Sequence, residues 1–327
     1  MKLGTIGTGW ITSQFIEAVK ETGVFKVLAV YSRTEQKANQ FANRQGAENF
    51  YTDLEEMANS TLIDTVYIAS PNSLHYDHAL MFLKKQKNVI CEKPIFSNIA
   101  ELENAYKVAE ENGVYLFEAI KNIHLPNFDC LKKNLEKVGN VRSAVLHRIR
   151  YSSRYNEYLD GKIPNIFSPD YSGGALVDLG IYPLSAAVAL FGMPEYFTYF
   201  PVILSSGVDG GGTLVLTYKD FTCTIICSKI TTSYMASEIH GEKGTISIDD
   251  TGTLSRLSFI DIHSAHREDF GIYQNENEMV YEVQQIAEII NTKNHKKYSA
   301  LRELSHDVLS IMEEARKRNG IIYSSEQ

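Results

Sequence analysis

The chain begins with a short apolar run, Lys2–Ile6, then Gly7-Thr8-Gly9, then Ile11, Phe15, Ala18 and Val19 at helical spacing. A strand, a glycine turn and a helix in that order point to the first unit of a parallel sheet that binds a dinucleotide. The first glycine lets the chain turn sharply. The second lets backbone approach a pyrophosphate, whose charge the helix N-terminus meets. Gly7, Thr8, Gly9, Trp10 and Ile11 are therefore candidate cofactor contacts. Thr12 stands at the third position of the motif, where Gly or Ala is usual. A plain structural turn is the alternative reading of these residues.

Residues 1–120 alternate short apolar runs with helical stretches, the pattern of βαβ units. Strands are expected at Lys2–Ile6, Phe25–Tyr31, Thr65–Ala69, Asn88–Cys91 and Val114–Phe117, with helices between them. After residue 120 the pattern changes. Val141–Tyr151, Thr213–Tyr218, Thr222–Ser228, Ser237–His240 and Thr245–Ile248 read as strands. Tight turns such as Lys219-Asp220 join some of them, which means antiparallel pairing. Helices are expected at about Gly180–Leu190, Asn277–Asn291 and Leu301–Lys317. The expected fold class is α/β: an N-terminal Rossmann parallel sheet over 1–120, and a C-terminal α+β domain with a mostly antiparallel open sheet over 121–327. The second domain is expected to bind substrate and to mediate oligomerisation, as a homodimer or homotetramer.

A chain of 327 residues exceeds what one core usually holds, which agrees with two domains. Its net charge of −8, with no basic run, argues against a nucleic-acid or anionic-membrane surface. No signal-peptide core precedes the first strand, and no uninterrupted apolar run of membrane-spanning length stands out. A cytoplasmic protein is the expectation. Cys91, Cys130, Cys223 and Cys227 show no pairing framework and no zinc spacing, so they read as free thiols. His263 and His266 read as surface histidines, and no metal site is expected.

The end of the second strand selects the dinucleotide. NAD sites usually place Asp or Glu there to hold the ribose hydroxyls. This chain places Tyr31-Ser32-Arg33-Thr34 instead. Arg33 can pair with a 2′-phosphate, Ser32 and Thr34 can donate to it, and Lys37 lies one helical turn on. NADP(H) is the expected cofactor, with NAD as the alternative. A solvated surface arginine is the competing reading of Arg33.

Ser70-Pro71-Asn72 and Cys91-Glu92-Lys93-Pro94 end two further strands at the same edge, where ligands bind in open α/β sheets. Ser70, Pro71, Asn72, His75, Glu92 and Lys93 join the cofactor candidates, although His75 reads equally well as a cap or packing residue. These segments, with Gly173-Gly174-Ala175-Leu176-Val177-Asp178-Leu179-Gly180-Ile181-Tyr182-Pro183, resemble the glucose–fructose oxidoreductase / inositol dehydrogenase / MocA-like family. The dihydrodiol dehydrogenase-like branch looks nearest, and the resemblance runs to about Ile248. It implies that Lys93 sits by the reacting carbonyl and that Asp178 and Tyr182 form the acid–base pair. The chemistry is consistent: hydride transfer to a carbonyl leaves an alkoxide that needs a proton, and a tyrosine hydroxyl can give it. Asp178 has a helix cap as its alternative role, and Tyr182 a packed aromatic.

One segment departs from the resemblance. After Glu118-Ala119 the family often carries an aromatic and then an Arg, whereas this chain has Lys121-Asn122-Ile123-His124. Lys121, Asn122 and His124 are candidate pocket residues, and a substrate other than that of the dihydrodiol branch is expected. Arg148, Arg150, Tyr151 and Arg154 either meet substrate or lie on a solvated or dimer-facing strand. The resemblance implies an NADP(H)-dependent oxidoreductase that interconverts a carbonyl and a secondary alcohol on a sugar, cyclitol or related polyhydroxy compound. A non-catalytic NADP-binding regulator of the same fold is the alternative, and retention of Lys93 and Tyr182 weighs against it.

Overall fold

The protein is described by a computed structural model over residues 1–326. It divides into two compact units. One is Met1–Ile120 with Asn275–His306, and the other is Lys121–Gln274 with the chain from Asp307 onward.

The first unit is built from β1 (Lys2–Ile6), α1 (Trp10–Thr22), β2 (Lys26–Tyr31), α2 (Glu35–Gln45), β3 (Asn49–Tyr51), α3 (Leu54–Asn59), β4 (Thr65–Ile68), α4 (His75–Lys84), β5 (Asn88–Glu92), α5 (Ile99–Glu111) and β6 (Leu116–Ala119). Its six strands pair in parallel in the order β3-β2-β1-β4-β5-β6. The apolar runs foreseen as strands are buried on both faces, as a parallel sheet covered by helices requires. β3 was not expected: three residues are too few for periodicity to register. The sheet order carries the turns after β1, β2, β4 and β5 to the carboxyl edge.

The second unit contains α6 (Pro126–Asn134), β7 (Val141–Ile149), α7 (Tyr155–Leu159), α8 (Ile181–Phe191), β8 (Tyr196–Ile203), β9 (Asp209–Thr217), β10 (Thr222–Ser228), β11 (Ser237–Gly241), β12 (Gly244–Ile248), β13 (Leu257–Asp261) and β14 (Arg267–Asp269). They form one eight-stranded sheet, β14-β13-β12-β11-β7-β10-β9-β8. Every pair is antiparallel except β7 with β10, which the long crossover through α8 makes parallel. β8 was not foreseen, because Pro201 sits inside it; the proline is tolerated because β8 is an edge strand.

The stretch Pro169–Phe191, although interrupted by Asp170 and Asp178, is long and apolar enough by length and composition to cross a membrane. Its mean hydropathy reaches 1.7, and 72% of that window is buried inside the protein, as in a core helix. Among the described residues, no group of three or more His, Cys, Asp or Glu gathers as a metal site needs.

Two last helices follow, α9 (Met279–Thr292) and α10 (His295–Arg318). The sequence assigned all of 121–327 to the second domain, yet Asn275–His306 clusters with the first unit. The reason is packing. Met279, Val283, Ile286 and Ala287 recur at helical spacing and enter the core of Phe15, Ile16 and Val19 from α1. Met279, Val283 and Ile286 each contribute roughly 1.5–3 kcal/mol on burial. The Asn277 side chain also donates to the Gln14 carbonyl at 2.9 Å.

Candidate active site

The glycine turn has the form that the sequence implies. Gly7 has φ +108, and a Cβ there would lie 2.6 Å from the Ala69 carbonyl oxygen. Only glycine fits. Gly9 differs: a Cβ at this position meets nothing within 4 Å, so open space lies above the turn. α1 begins at Trp10 with no side-chain cap, which leaves first-turn N–H groups for an anion. Thr12 is fully buried with its hydroxyl facing the back of Gly7, so it packs under the turn and does not block it. Thr8 and Ile11 are half-buried, and Trp10 is 73% exposed.

At the end of β2, Ser32 is half-buried, and Arg33, Thr34 and Lys37 are exposed. A cleft of about 190 Å³ lined by Thr8, Lys37, Gln40, Phe41 and Arg44 adjoins the turn. It joins two cations to the phosphate-binding loop. Arg44 was not singled out from the sequence. It lies at the end of α2 with its guanidinium 5.0 Å over the Phe41 ring, and nothing local in the sequence marks it. The open space at Gly9, the uncapped helix and these cations fit a dinucleotide.

After β4, Ser70, Pro71 and Asn72 are half-buried. His75 is buried, and its ring nitrogens lie 3.0 Å from the Pro94 carbonyl and 2.9 Å from the Ser70 carbonyl. It ties the end of β4 to the turn after β5, a bracing position and not the exposed one that a cofactor contact needs. Glu92 is likewise buried. It accepts the Tyr67 hydroxyl at 2.5 Å and the Lys93 N–H at 3.2 Å, and Tyr67 stacks on Phe15 at 3.7 Å. Glu92 thus anchors the turn from below. Glu118 accepts the Ile95 N–H at 2.9 Å, and burial pushes its carboxyl up to about 7. Lys93 itself is half-buried at the end of β5, within the electrostatic reach of His75 and Glu118.

In the second unit, Asp178 lies on a π-helical turn, Leu176–Gly180, that leads directly into α8. Gly180 keeps helical dihedrals and does not break the turn. A Cβ there would come 3.2 Å from Cys227 Sγ, so the glycine lets the turn sit close on β10. Asp209, buried on β9, receives the Leu176 N–H at 2.7 Å and the Tyr199 hydroxyl at 2.6 Å. This fixes the start of the turn. Asp178 is one-third exposed, and its Oδ2 lies 2.7 Å from Lys229 Nζ. The N-cap of the turn is Ala175 and that of α8 is Gly180, so Asp178 stands at neither cap position.

Tyr182 is half-buried in the first turn of α8. The Arg148 guanidinium lies 4.5 Å from its ring centroid and is ion-paired with Asp250. Asn122 is fully buried, and its amide donates to the carbonyls of Tyr182 and Thr251, both at 2.9 Å. It braces the backbone, which corrects the expectation that it lines a pocket. His124 is also buried, whereas Lys121 is half-buried and keeps some exposure. Arg150 pairs with Asp250 at 2.5 Å, Arg154 with Glu157 at 2.7 Å, and Tyr151 is 43% exposed. Of that group, Arg148 lies over the Tyr182 ring. Sequence reading missed Lys229, Asp209 and Asp250, because partners 33 to 102 residues away leave no local pattern.

Comparison with known proteins identifies the family. The family model described as oxidoreductase family, NAD-binding Rossmann fold, GFO/IDH/MocA, matches residues 1–120, and the GFO/IDH/MocA C-terminal domain matches 136–247. An uncharacterised oxidoreductase of Escherichia coli, YgjR, is 42% identical over 100% of this chain and 98% of its own. The Bacillus subtilis scyllo-inositol 2-dehydrogenase (NADP(+)) IolU is 41% identical over 100% and 99%. A trans-1,2-dihydrobenzene-1,2-diol dehydrogenase of Xenopus tropicalis is 28% identical over 98% and 99%. Among solved structures, a 3-ketoreductase variant from Actinomadura kijaniata shares the fold with a TM-score of 0.84 at 22% identity, covering 99% of both chains. With a glycine turn shaped for a dinucleotide and both domain models matched in order, the chain belongs to the GFO/IDH/MocA family of oxidoreductases.

Proposed function

We propose that this chain is an NADP(H)-dependent oxidoreductase that interconverts a secondary alcohol and a carbonyl on a cyclitol or a related polyhydroxy compound. The observation that carries the reading is the full-length similarity, 41%, to an enzyme named for NADP+ and scyllo-inositol. Fold alone does not fix a substrate, so the side chains must also suit one. The half-buried Tyr182 and the ion-paired Asp178 suit a ligand rich in hydroxyls.

A nicotinamide cofactor bound here would supply or accept the hydride. The chain's own residues do the rest. Gly7, Gly9 and the α1 N-terminus would hold its pyrophosphate, and Arg33 with Lys37 would hold a 2′-phosphate. Lys93 places an ammonium at the substrate oxygen and stabilises negative charge that develops there. Tyr182 takes the hydroxyl proton during oxidation and returns it during reduction. Asp178 accepts a hydrogen bond from a substrate hydroxyl. For self-association, apolar residues Tyr196, Phe200 and Val202 are exposed on edge strand β8 and supply a surface for a second copy.

Trp10, the only tryptophan of the chain, stands exposed beside Gly9 and is a built-in reporter of cofactor binding. NADPH is expected to quench its emission with at least ~10-fold tighter affinity than NADH. Arg33→Ala is expected to erase that difference. Equal affinity of the wild type for the two cofactors contradicts the NADP assignment.

A further inference from the structure

Lys229, one residue beyond β10, is among the most deeply buried charged side chains of the second unit, with 1% of its surface exposed. Its ammonium lies 2.7 Å from Asp178 Oδ2 and 3.2 Å from the Ile166 carbonyl oxygen, and 5.0 Å from the Phe167 ring centroid. A buried ammonium costs several kcal/mol of lost hydration unless it is paired. An apolar residue at this position avoids that cost, so a lysine calls for a use. The partner supplies one. Asp178 is one-third exposed, on the π-helical turn one helical turn before Tyr182.

We propose that Lys229 is a positioning residue: its buried ammonium aims the Asp178 carboxylate and holds it as the anion, so that Asp178 can accept a hydrogen bond from a substrate hydroxyl. This rests on the reading of Asp178 as a substrate-facing group. The rest of the surroundings supports it. Gly180 seats the turn against Cys227, two residues before Lys229, and Asp209 fixes the backbone at Leu176. The turn is thus held at its start, at its end and by its one carboxylate. A π-helical turn departs from regular helix, and such turns are frequent at functional sites.

Other groups around the pair also titrate. Asp209 and Cys227 feel the Lys229 charge, Tyr199 bonds to Asp209, and Tyr182 with its Arg148 cover lies one turn on. The test therefore isolates Asp178. The full-length protein is labelled with 13C at aspartate carboxyls, and the Asp178 signal is identified by its loss in Asp178→Asn. In Lys229→Met the Asp178 midpoint is expected to rise by about one pH unit or more. A midpoint unchanged within ~0.3 unit overturns the proposal. Lys229→Gln, which keeps a donor and removes the charge, gives the same reading should the methionine variant not fold.

Kinetics with scyllo-inositol and NADP+ supply a second arm. Asp178→Asn and Lys229→Met are each expected to raise KM about 10- to 100-fold. The double variant is expected to be no worse than Asp178→Asn alone, because Lys229 acts through Asp178. Fully additive losses overturn the proposal. A wild type that does not oxidise scyllo-inositol counts against the substrate reading alone, and the carboxyl titration still decides the role of Lys229.

Discussion

The guanidinium of Arg148 lies over the ring of Tyr182, 4.5 Å from its centroid, and is ion-paired to Asp250. Arg148 is 8% exposed, and a Cβ on Gly252 would overlap its Nη1. The arginine is thus clamped between a glycine, a carboxylate and the candidate proton donor. Burial pushes the Asp250 carboxyl up, but Arg148, the Gly252 N–H and Arg150 outweigh it, so the carboxyl stays below its usual range. A depressed carboxyl contributes stability that is present above its unfolded value, near 4, and is lost as pH falls through the folded value. Arg148→Met is expected to cost about 2–4 kcal/mol at pH 7, less at pH 3, and to lower kcat about tenfold. Urea unfolding at the two pH values checks the first part, and an equal cost at both contradicts it.

Glu118 predicts the opposite pH trend. Burial raises its carboxyl to about 7, partly offset by hydrogen bonds from Ser305 and the Ile95 N–H. The folded protein then holds a proton that the unfolded chain releases near pH 4.5. Stability from this group is fully present below ~4.5 and is lost as pH rises through about 7. Glu118→Gln keeps an acceptor for Ile95 and removes the titration. Relative to wild type, the variant is expected to gain roughly 2–3 kcal/mol between pH 5 and pH 8.5. Parallel stability curves for the two proteins contradict the assignment.

The two glycines of the phosphate turn separate folding from binding. Gly7→Ala forces a methyl into the Ala69 carbonyl at positive φ, and is expected to cost at least ~2 kcal/mol. Gly9→Ala meets no protein atom, so its thermal midpoint is expected within ~2 °C of wild type. Its methyl occupies the space left for phosphate, so NADPH affinity is expected to fall ~10-fold or more. Calorimetry and Trp10 quenching check both. Loss of stability in the Gly9 variant with intact binding contradicts the account.

How far the sequence could be read follows from how local each signal is. The strand, glycine turn and helix at the chain start were legible, because each part leaves its own pattern within a few residues. α1 stops at Gly23, which takes positive φ and returns its N–H to Val19, a stop carried by one residue type at one position. The open antiparallel sheet was legible in part. β8 was hidden by Pro201, β13 by its length of five residues, and β14 because it is three exposed charged residues with no apolar pattern. Lys93 and Tyr182 stood out through segments that resemble a family. Lys229 did not, because a lysine at the end of a strand looks solvent-facing until the fold buries it. Asn122 misled for the converse reason. A polar side chain after a strand suggests a pocket, but here its amide satisfies two buried carbonyls.

The proposed function has this chain move a hydride between NADP and a hydroxylated substrate, with Lys93 and Tyr182 as the groups that handle charge and proton. The most direct measurement is NADP+ reduction at ~340 nm across a panel of cyclitols and sugars, with wild type, Lys93→Met and Tyr182→Phe side by side. Wild type is expected to turn over at least one cyclitol. Each variant is expected to lose at least ~100-fold in kcat/KM, with Trp10 quenching by NADPH retained. Undiminished turnover in either variant, or a wild type that binds NADPH and turns over no member of the panel, contradicts the proposed function.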